Sequence, residues 1–342
     1  MASQVLLSVV APCFNEAVGL PEFHRRVSAA CCALPGLHDS WELVLINDGS
    51  RDTTRDVMQR LAWEDPHVVA INLARNYGHQ LALTAGLNLC RGERILIIDA
   101  DLQDPPELLA DMMRVMDEQE ADVVYGQRRV RSGETRLKLT TAALFYRILQ
   151  RLVEIEIPLD TGDFRLMNRR TLDVLNKMPE RDRFIRGLVS WIGLRQVPLL
   201  YDREARFAGS SNYPFLKMAR FALDAVTSFS IVPLRFASLA GAIIGAMGLL
   251  SLTYTVGGWL FGAVVTGWTS IATILLIIGG VQLLILGVMG EYLGRLYMES
   301  KRRPLFVVDS IVSAPAGGSV RNERVGGMPA LSQLLPEEPA HV

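Results

Sequence analysis

The sequence predicts an α/β protein, a mostly parallel sheet covered by helices and followed by a two-helix transmembrane hairpin. Three observations predict it. Between residues 5 and 126, short β-branched runs alternate with segments of helical spacing, the pattern of strands buried on both faces. From Phe236 to Gly290, 55 consecutive residues contain no Asp, Glu, Lys, Arg or His. The mean hydropathy of +0.23 is too apolar for an ordinary soluble chain of 342 residues.

The elements follow in chain order. Runs at Leu6–Ala11, Leu43–Ile46, Val68–Asn72, Ile95–Ile98 and Val123–Tyr125 read as strands, being short and rich in β-branched side chains. Segments 17–34, 53–64, 79–90 and 106–119 between them carry apolar residues at helical intervals. The first run is only seven residues long from Val5 and lacks a basic leader. It is too short for a spanning helix and wrongly flanked for a signal peptide.

Past Gly126 the character changes. Residues 128–151 are basic and amphipathic, and residues 160–207 hold short mixed elements. From Tyr213 to Phe229, Leu216, Ala219, Leu223, Val226 and Phe229 fall near one helical face, with Lys217 and Arg220 beside it. This reads as a helix lying on a membrane surface; a core helix of the soluble domain is the alternative.

The uncharged stretch accommodates two spans of about 20 residues each, at about 234–257 and 270–293. Trp259 and Trp268 in the connecting loop suit the membrane interface. Basic residues flank both outer ends, Arg235 before and Arg295, Lys301, Arg302 and Arg303 after, so both ends are expected in the cytoplasm. Small residues (Gly241, Gly245, Gly248, Gly279, Gly280, Gly287) allow close helix packing and a homo-oligomer. The end of the chain is rich in Pro, Gly and Ala and reads as a tail disordered from about 311. The expected division is a cytoplasmic domain over 1–212, a juxtamembrane helix over 213–232, the hairpin over 233–296 and a cytoplasmic tail over 297–342.

Several classes are excluded. With 35 basic and 36 acidic residues the chain lacks the basic excess of a nucleic-acid binder. Cys13, Cys31, Cys32 and Cys90 match neither zinc-ligand nor CxxC spacing, which leaves buried free thiols in a reducing compartment. No HExxH, GxGxxG or Walker lysine motif occurs.

In parallel α/β sheets ligands bind beyond the carboxyl ends of the strands, so the strand ends carry the chemistry. The fourth run delivers Asp99-Ala100-Asp101-Leu102-Gln103. Hard divalent cations, Mg²⁺ or Mn²⁺, take one or two carboxylates plus substrate phosphate oxygens, and the turn lets Asp101 and Gln103 converge on one ion. The first run ends in Pro12-Cys13-Phe14-Asn15-Glu16 and the second in Asn47-Asp48-Gly49-Ser50. Asp48 can accept from a pyrimidine N–H and Glu16 from a ribose hydroxyl. An ordinary capping turn explains Asn47-Asp48-Gly49-Ser50 equally well.

These motifs, with Thr161-Gly162-Asp163-Phe164-Arg165, resemble those of family 2 glycosyltransferases of the GT-A, Rossmann-like fold. Within that family the chain is similar to bacterial polyisoprenyl-phosphate (undecaprenyl-phosphate) glucosyltransferases, relatives of dolichol-phosphate mannose synthase. The paired-helix end, through Gly290-Glu291-Tyr292-Leu293-Gly294-Arg295, is similar too, and the likeness runs from about residue 5 to 308. The resemblance implies inverting transfer of glucose from a UDP-sugar to a membrane polyprenyl phosphate at the bacterial inner membrane. It places Pro12, Asn15, Glu16, Asp48 and Asp99 around the nucleotide and Asp99, Asp101 and Gln103 on the metal. Asp163 sits beside the acceptor as base or orienter, and Asp101 shares the catalytic assignment. Arg128, Arg136 and Lys138 meet phosphate or lipid, and Arg206 closes over the donor. Two departures stand out: Phe14 replaces a frequent Tyr, and Asn212 replaces a frequent Lys, which puts one phosphate contact in doubt. GDP-mannose, UDP-N-acetylglucosamine or a UDP-aminoarabinose derivative are alternative donors, and a catalytically inactive nucleotide-binding membrane scaffold is an alternative class. The scaffold predicts a missing carboxylate in one of the two acidic motifs; both carboxylates are present.

Overall fold

A computed structural model of the chain describes residues 5–129, 161–202, 232–260, 267–314 and 321–324. The chain divides into two units, one holding residues 1–146, 155–212 and 303–342, the other 147–154 and 213–302.

The first unit is built on a nine-stranded sheet. Its elements in chain order are β1 (Leu7–Cys13), α1 (Leu20–Cys32), β2 (Trp41–Asn47), α2 (Thr54–Glu64), β3 (Val68–Leu73), α3 (His79–Leu89), β4 (Arg94–Ile97), α4 (Leu109–Glu118) and β5 (Val123–Arg128). They are followed by β6 (Thr161–Asn168), α5 (Arg169–Lys177), α6 (Ile185–Ile192) and β7 (Gln196–Tyr201). Two strands, β8 (Val308–Ser313) and β9 (Arg321–Arg324), come from beyond the apolar helices. The strand order is β7-β5-β6-β4-β1-β2-β3-β8-β9.

The expected parallel sheet holds for its centre, where β1 pairs parallel with β2 and β4, and β2 with β3. The sheet as a whole is mixed, because β6 enters antiparallel between β4 and β5 and β8 runs antiparallel to β3. Successive strand residues face opposite sides. Leu7, Val9 and Ala11 join Phe23 and Val27 of α1, Met58 of α2 and Met112 of α4 in one core. Val10 and Ile46 face α3, whose Gly86 lies so close that a Cβ there would meet both at 2.5 Å. Asn168 caps α5, its side chain accepting from the Thr171 N–H at 2.9 Å.

One expectation is corrected. The tail was to be disordered from about 311, yet Ile311 and Val312 are buried and β8 is hydrogen-bonded to β3. The reason is non-local: β3 would otherwise present a bare row of backbone donors and acceptors, and Val308–Ser313 pairs along that edge with Val308, Ser310, Ile311 and Val312 buried. Residues 325–342 lie outside the described residues. The free cysteines hold as expected except that Cys32 is exposed rather than buried.

The second unit contains α7 (Val232–Leu260) and α8 (Trp268–Ser300). At 1.5 Å per residue they measure about 44 and 50 Å, longer than the roughly 30 Å hydrocarbon core. Windows Leu234–Ser251 and Ile277–Ser300 are long and apolar enough to cross a membrane. Their residues are 6% and 0% buried, unlike those of a soluble core helix. Both helices overrun the spans read from sequence, and Trp259 and Trp268 fall within helical ends. The amphipathic segment over 213–229 and that over 137–152 lie outside the described residues.

Candidate active site

Loops at the carboxyl ends of β1, β2, β3 and β4, with the start of β6, surround one acidic site. Two non-glycine residues there adopt left-handed backbone, Asn15 (φ 58°) and Leu102 (φ 62°). Such conformations cost on the order of 1 kcal/mol or more and collect at functional sites. Leu102 turns the chain between the two expected metal ligands Asp101 and Gln103, and the Gln103 N–H donates to Asp101 Oδ1 at 3.1 Å.

The turn after β2 is clamped from both sides. Pro12 is buried within β1 opposite Ile46. Asn15 Oδ1 accepts from the Arg51 N–H at 2.9 Å, and the Asn15 N–H donates to Ser50 Oγ at 3.1 Å. The Glu16 N–H donates to Thr54 Oγ1 at 2.9 Å. Asp48 is buried, and its two carboxylate oxygens accept from the Tyr77 and Gly78 N–H groups at 2.7 and 3.0 Å. Burial raises its pKa, against the pull of those two amides. Gly49 has φ +64°, and a Cβ there would stand 2.5 Å from the Asn76 nitrogen. The turn and the loop after β3 therefore fit only with glycine at this position.

Asp163 is the centre of the site. Its Oδ2 accepts from Gln80 Nε2 at 2.8 Å and lies 3.2 Å from His79 Nε2, while its Oδ1 faces Arg186 Nε at 3.1 Å. Arg186 also donates to the Thr161 carbonyl at 2.7 Å. Buried Arg165 donates to the backbone carbonyls of Asp163 and Gly162. Burial alone would raise the Asp163 pKa, but His79, Arg186 and Arg165 overcome it and hold the carboxyl well below the usual carboxylate range. Burial brings Arg165 down to about 10, so it stays charged at neutral pH.

Asp99 is the opposite case. Burial pushes it up to about 6, neighbouring Asp163, Asp104 and Asp101 add to the rise, and His79 opposes it. Its Oδ1 is buried without a hydrogen-bond partner, 3.5 Å from His79 Nε2. His79 thus bridges the two carboxylates with a side chain 44% exposed. Burial works against its charged form, but the hydrogen bond to Asp163 and the charges of Asp99 and Asp163 raise its pKa.

An orphaned oxygen in a group of like charges is what a divalent cation would relieve, so Asp99, Asp101 and Gln103 fit the group expected of them. No three His, Cys, Asp or Glu side chains are grouped to hold a metal among the described residues. The protein would therefore supply a partial shell, as Mg²⁺-type sites do when substrate oxygens complete them.

Of the expected cations, Arg128 ends β5, where it hydrogen-bonds Tyr201. Tyr201 in turn donates to buried Asp104 at 2.5 Å, and burial with the Asp104 charge pushes its phenol up to about 12. Arg136, Lys138 and Arg206 lie outside the described residues. His79, Gln80 and Arg186 were missed from sequence. The first two follow the end of β3, so the strand-end rule applied to that strand finds them; Arg186 has no such signal.

Comparison with known proteins follows the same lines. Residues 8–175 match the family model for glycosyl transferase family 2. An uncharacterized glycosyltransferase of Bacillus subtilis, YkcC, is 42% identical over 90% of this chain and 94% of its own. The bactoprenol glucosyl transferase of Shigella phage SfV is 37% identical over 88% of this chain and 97% of its own. A prophage bactoprenol glucosyl transferase homolog of Escherichia coli is 36% identical over 89% and 99%. Among solved structures, S. aureus TarS 1–349 in complex with UDP-GlcNAc aligns with a TM-score of 0.45 at 16% identity, covering 66% of each chain.

Proposed function

The chain belongs to glycosyl transferase family 2, and from that premise we propose that it transfers glucose from UDP-glucose to a membrane polyprenyl phosphate with inversion. Its mixed α/β sheet is of the GT-A type. The observation that carries the reading is the ionised Asp163 carboxylate, held by His79, Gln80 and Arg186 beside the Asp99–Asp101 cluster.

A phosphate oxygen of the acceptor attacks the anomeric carbon. The bond from that carbon to the β-phosphate oxygen breaks, and its electron pair leaves with UDP. One displacement inverts the centre. The acceptor's second pKa is about 6, so the nucleophile is anionic near neutral pH and needs placing rather than deprotonating. Asp163 is poorly suited to take a proton, because its carboxyl lies well below the usual range with both oxygens engaged. Of its two expected roles the orienting one is favoured: Asp163 fixes His79 and Arg186 where anionic phosphates gather. Asp99, Asp101 and Gln103 would hold a divalent cation, Mg²⁺ or Mn²⁺, whose contribution when bound is to offset charge on the leaving diphosphate.

Asp48 is assigned to the nucleobase, and Pro12, Asn15 and Glu16 to the nucleotide around it. Arg128, Arg136 and Lys138 are assigned to phosphate and lipid, and Arg206 to closure over the donor. The hairpin anchors the enzyme in the cytoplasmic membrane as a multi-pass protein, with residues 1–212 as the catalytic domain, 213–232 along the surface, and homo-oligomerisation through the small-residue faces. The product, polyprenyl-phosphate-glucose, serves cell-envelope glycan modification such as that of lipopolysaccharide O-antigen.

Membranes containing the protein, incubated with labelled UDP-glucose and polyprenyl phosphate, are expected to yield a chloroform-soluble labelled lipid. A panel with GDP-mannose, UDP-N-acetylglucosamine and a UDP-aminoarabinose derivative tests the sugar. Label entering lipid only from another donor overturns the glucose assignment, and none from any donor favours the inactive scaffold.

A further inference from the structure

The donor-side loops are held by a segment that follows the membrane hairpin in the chain. Asn47, Asn72 and Ser310 are buried on three adjacent strands, β2, β3 and β8, at 3%, 1% and 3% exposure. They form a chain of side-chain hydrogen bonds. Asn72 Nδ2 donates to Ser310 Oγ at 3.1 Å, Asn47 Nδ2 donates to Asn72 Oδ1 at 3.0 Å, and Asn47 Oδ1 accepts from the Ser50 N–H at 2.9 Å. An amide has one acceptor face and one donor face. Fixing the Asn72 donor on Ser310 therefore fixes which face Asn47 turns toward Ser50, and Ser50 Oγ in turn receives the Asn15 N–H.

Two further contacts act on the same loops. Arg55 donates to Asp309 Oδ2 at 2.8 Å and to Ser310 Oγ at 3.3 Å. The Ala74 N–H donates to the Val307 carbonyl at 2.9 Å. That bond opens the loop whose Tyr77 and Gly78 amides hold Asp48 and which leads to His79 and Gln80.

We infer that Ser310 is a positioning residue for the donor pocket, setting the Asn47–Ser50 turn through Asn72 and Asn47, and that the segment of strand β8, which also holds the 74–78 loop through the Val307 carbonyl, is a working part of the site. The inference rests on the reading of that pocket as a nucleoside-diphosphate site. Ser310 touches no substrate; it acts through Asn47, Asn72 and the turn.

The test uses the full-length protein in detergent with UDP as the probe. Ser310→Ala leaves a buried amide N–H without its partner, so UDP binding by calorimetry should weaken about tenfold, the equivalent of roughly 1.4 kcal/mol. In the lipid-product assay KM for UDP-glucose should rise similarly, while KM for polyprenyl phosphate stays within about twofold. Hydrogen exchange should quicken in peptides spanning 47–52 and not in 99–104. UDP binding by Ser310→Ala equal to wild type overturns the inference, as does an equal rise in both KM values, which marks general loosening. A wild type that binds no UDP overturns the reading of the pocket itself, and the inference with it.

Discussion

Replacing Asp163 by Asn tests the centre of the site most sharply, because it keeps shape while removing charge. In the native site Oδ2 accepts from Gln80 and His79, and Oδ1 faces the Arg186 Nε. Whichever way the new amide turns, its NH₂ meets a donor, so either the hydrogen bonds at Oδ2 or the ion pair at Oδ1 becomes a donor–donor contact. Arg165, 3% exposed, also loses its nearest countercharge. Breaking a buried pair outright costs about 3–5 kcal/mol; with one acceptor retained, roughly 2–4 kcal/mol of stability is expected. In a domain of this size that lowers Tm by roughly 5–15 °C. Turnover should fall by about 10²–10⁴ while UDP affinity changes little, since Asp48 and its loop are untouched.

The pH dependence has a definite sign. The folded pKa of Asp163 lies below the unfolded value of about 3.9, so its ionisation stabilises the fold above that value and the effect is lost as pH falls through the folded pKa. The wild-type advantage over Asp163→Asn should be full at pH 7 and shrink only below about pH 4. Thermal unfolding followed by tryptophan fluorescence across pH, with the lipid-product assay at pH 7.5, measures both effects. A Tm within about 1 °C of wild type together with turnover within about threefold would refute the electrostatic account.

Other outcomes follow from the same geometry. Asp101→Ala and treatment of the wild type with EDTA should each abolish transfer, with Mg²⁺ or Mn²⁺ restoring only the latter; full activity in EDTA removes the metal assignment. Arg186→Lys should recover little of the activity lost in Arg186→Ala, roughly 10–100-fold, because a point charge cannot reach Asp163 and the Thr161 carbonyl together. Activity of Arg186→Lys within about threefold of wild type would contradict that. Gly49→Ala should lower both Tm and UDP affinity, since φ +64° costs about 1–2 kcal/mol before the 2.5 Å contact with the Asn76 nitrogen is relieved; unchanged calorimetry on both counts would disprove the clamp.

Much of the candidate site was legible because parallel strands announce their ends. Asp48, Asp99 and Asp101 each follow an apolar run, and reading beyond those runs finds them without a structure. His79 and Gln80 obey the same rule after β3, but the apolar residues that follow hide them inside a helical pattern. Arg186 and Ser310 are beyond such reading. Arg186 reaches Asp163 from the start of α6, which the Ile185 N–H ties to the start of α3 by donating to Gln80 Oε1. The β8 segment, Val308-Asp309-Ser310-Ile311-Val312-Ser313, is short, carries two adjacent polar residues and lies between Pro304 and Pro315, so the edge it meets decides its strand character.

That edge has a bearing on how the protein is made. Ile71 of β3 pairs with Ile311 of β8, and the two apolar helices are synthesised between them. Until the ribosome has passed both helices, β3 has no neighbour on that side, and an open parallel edge is the surface on which nascent chains aggregate. The enzyme therefore completes this edge of its sheet late, after both apolar helices have emerged. Closing a contact this distant in sequence is intrinsically slow, so β8 joins the sheet only after both apolar helices have been made.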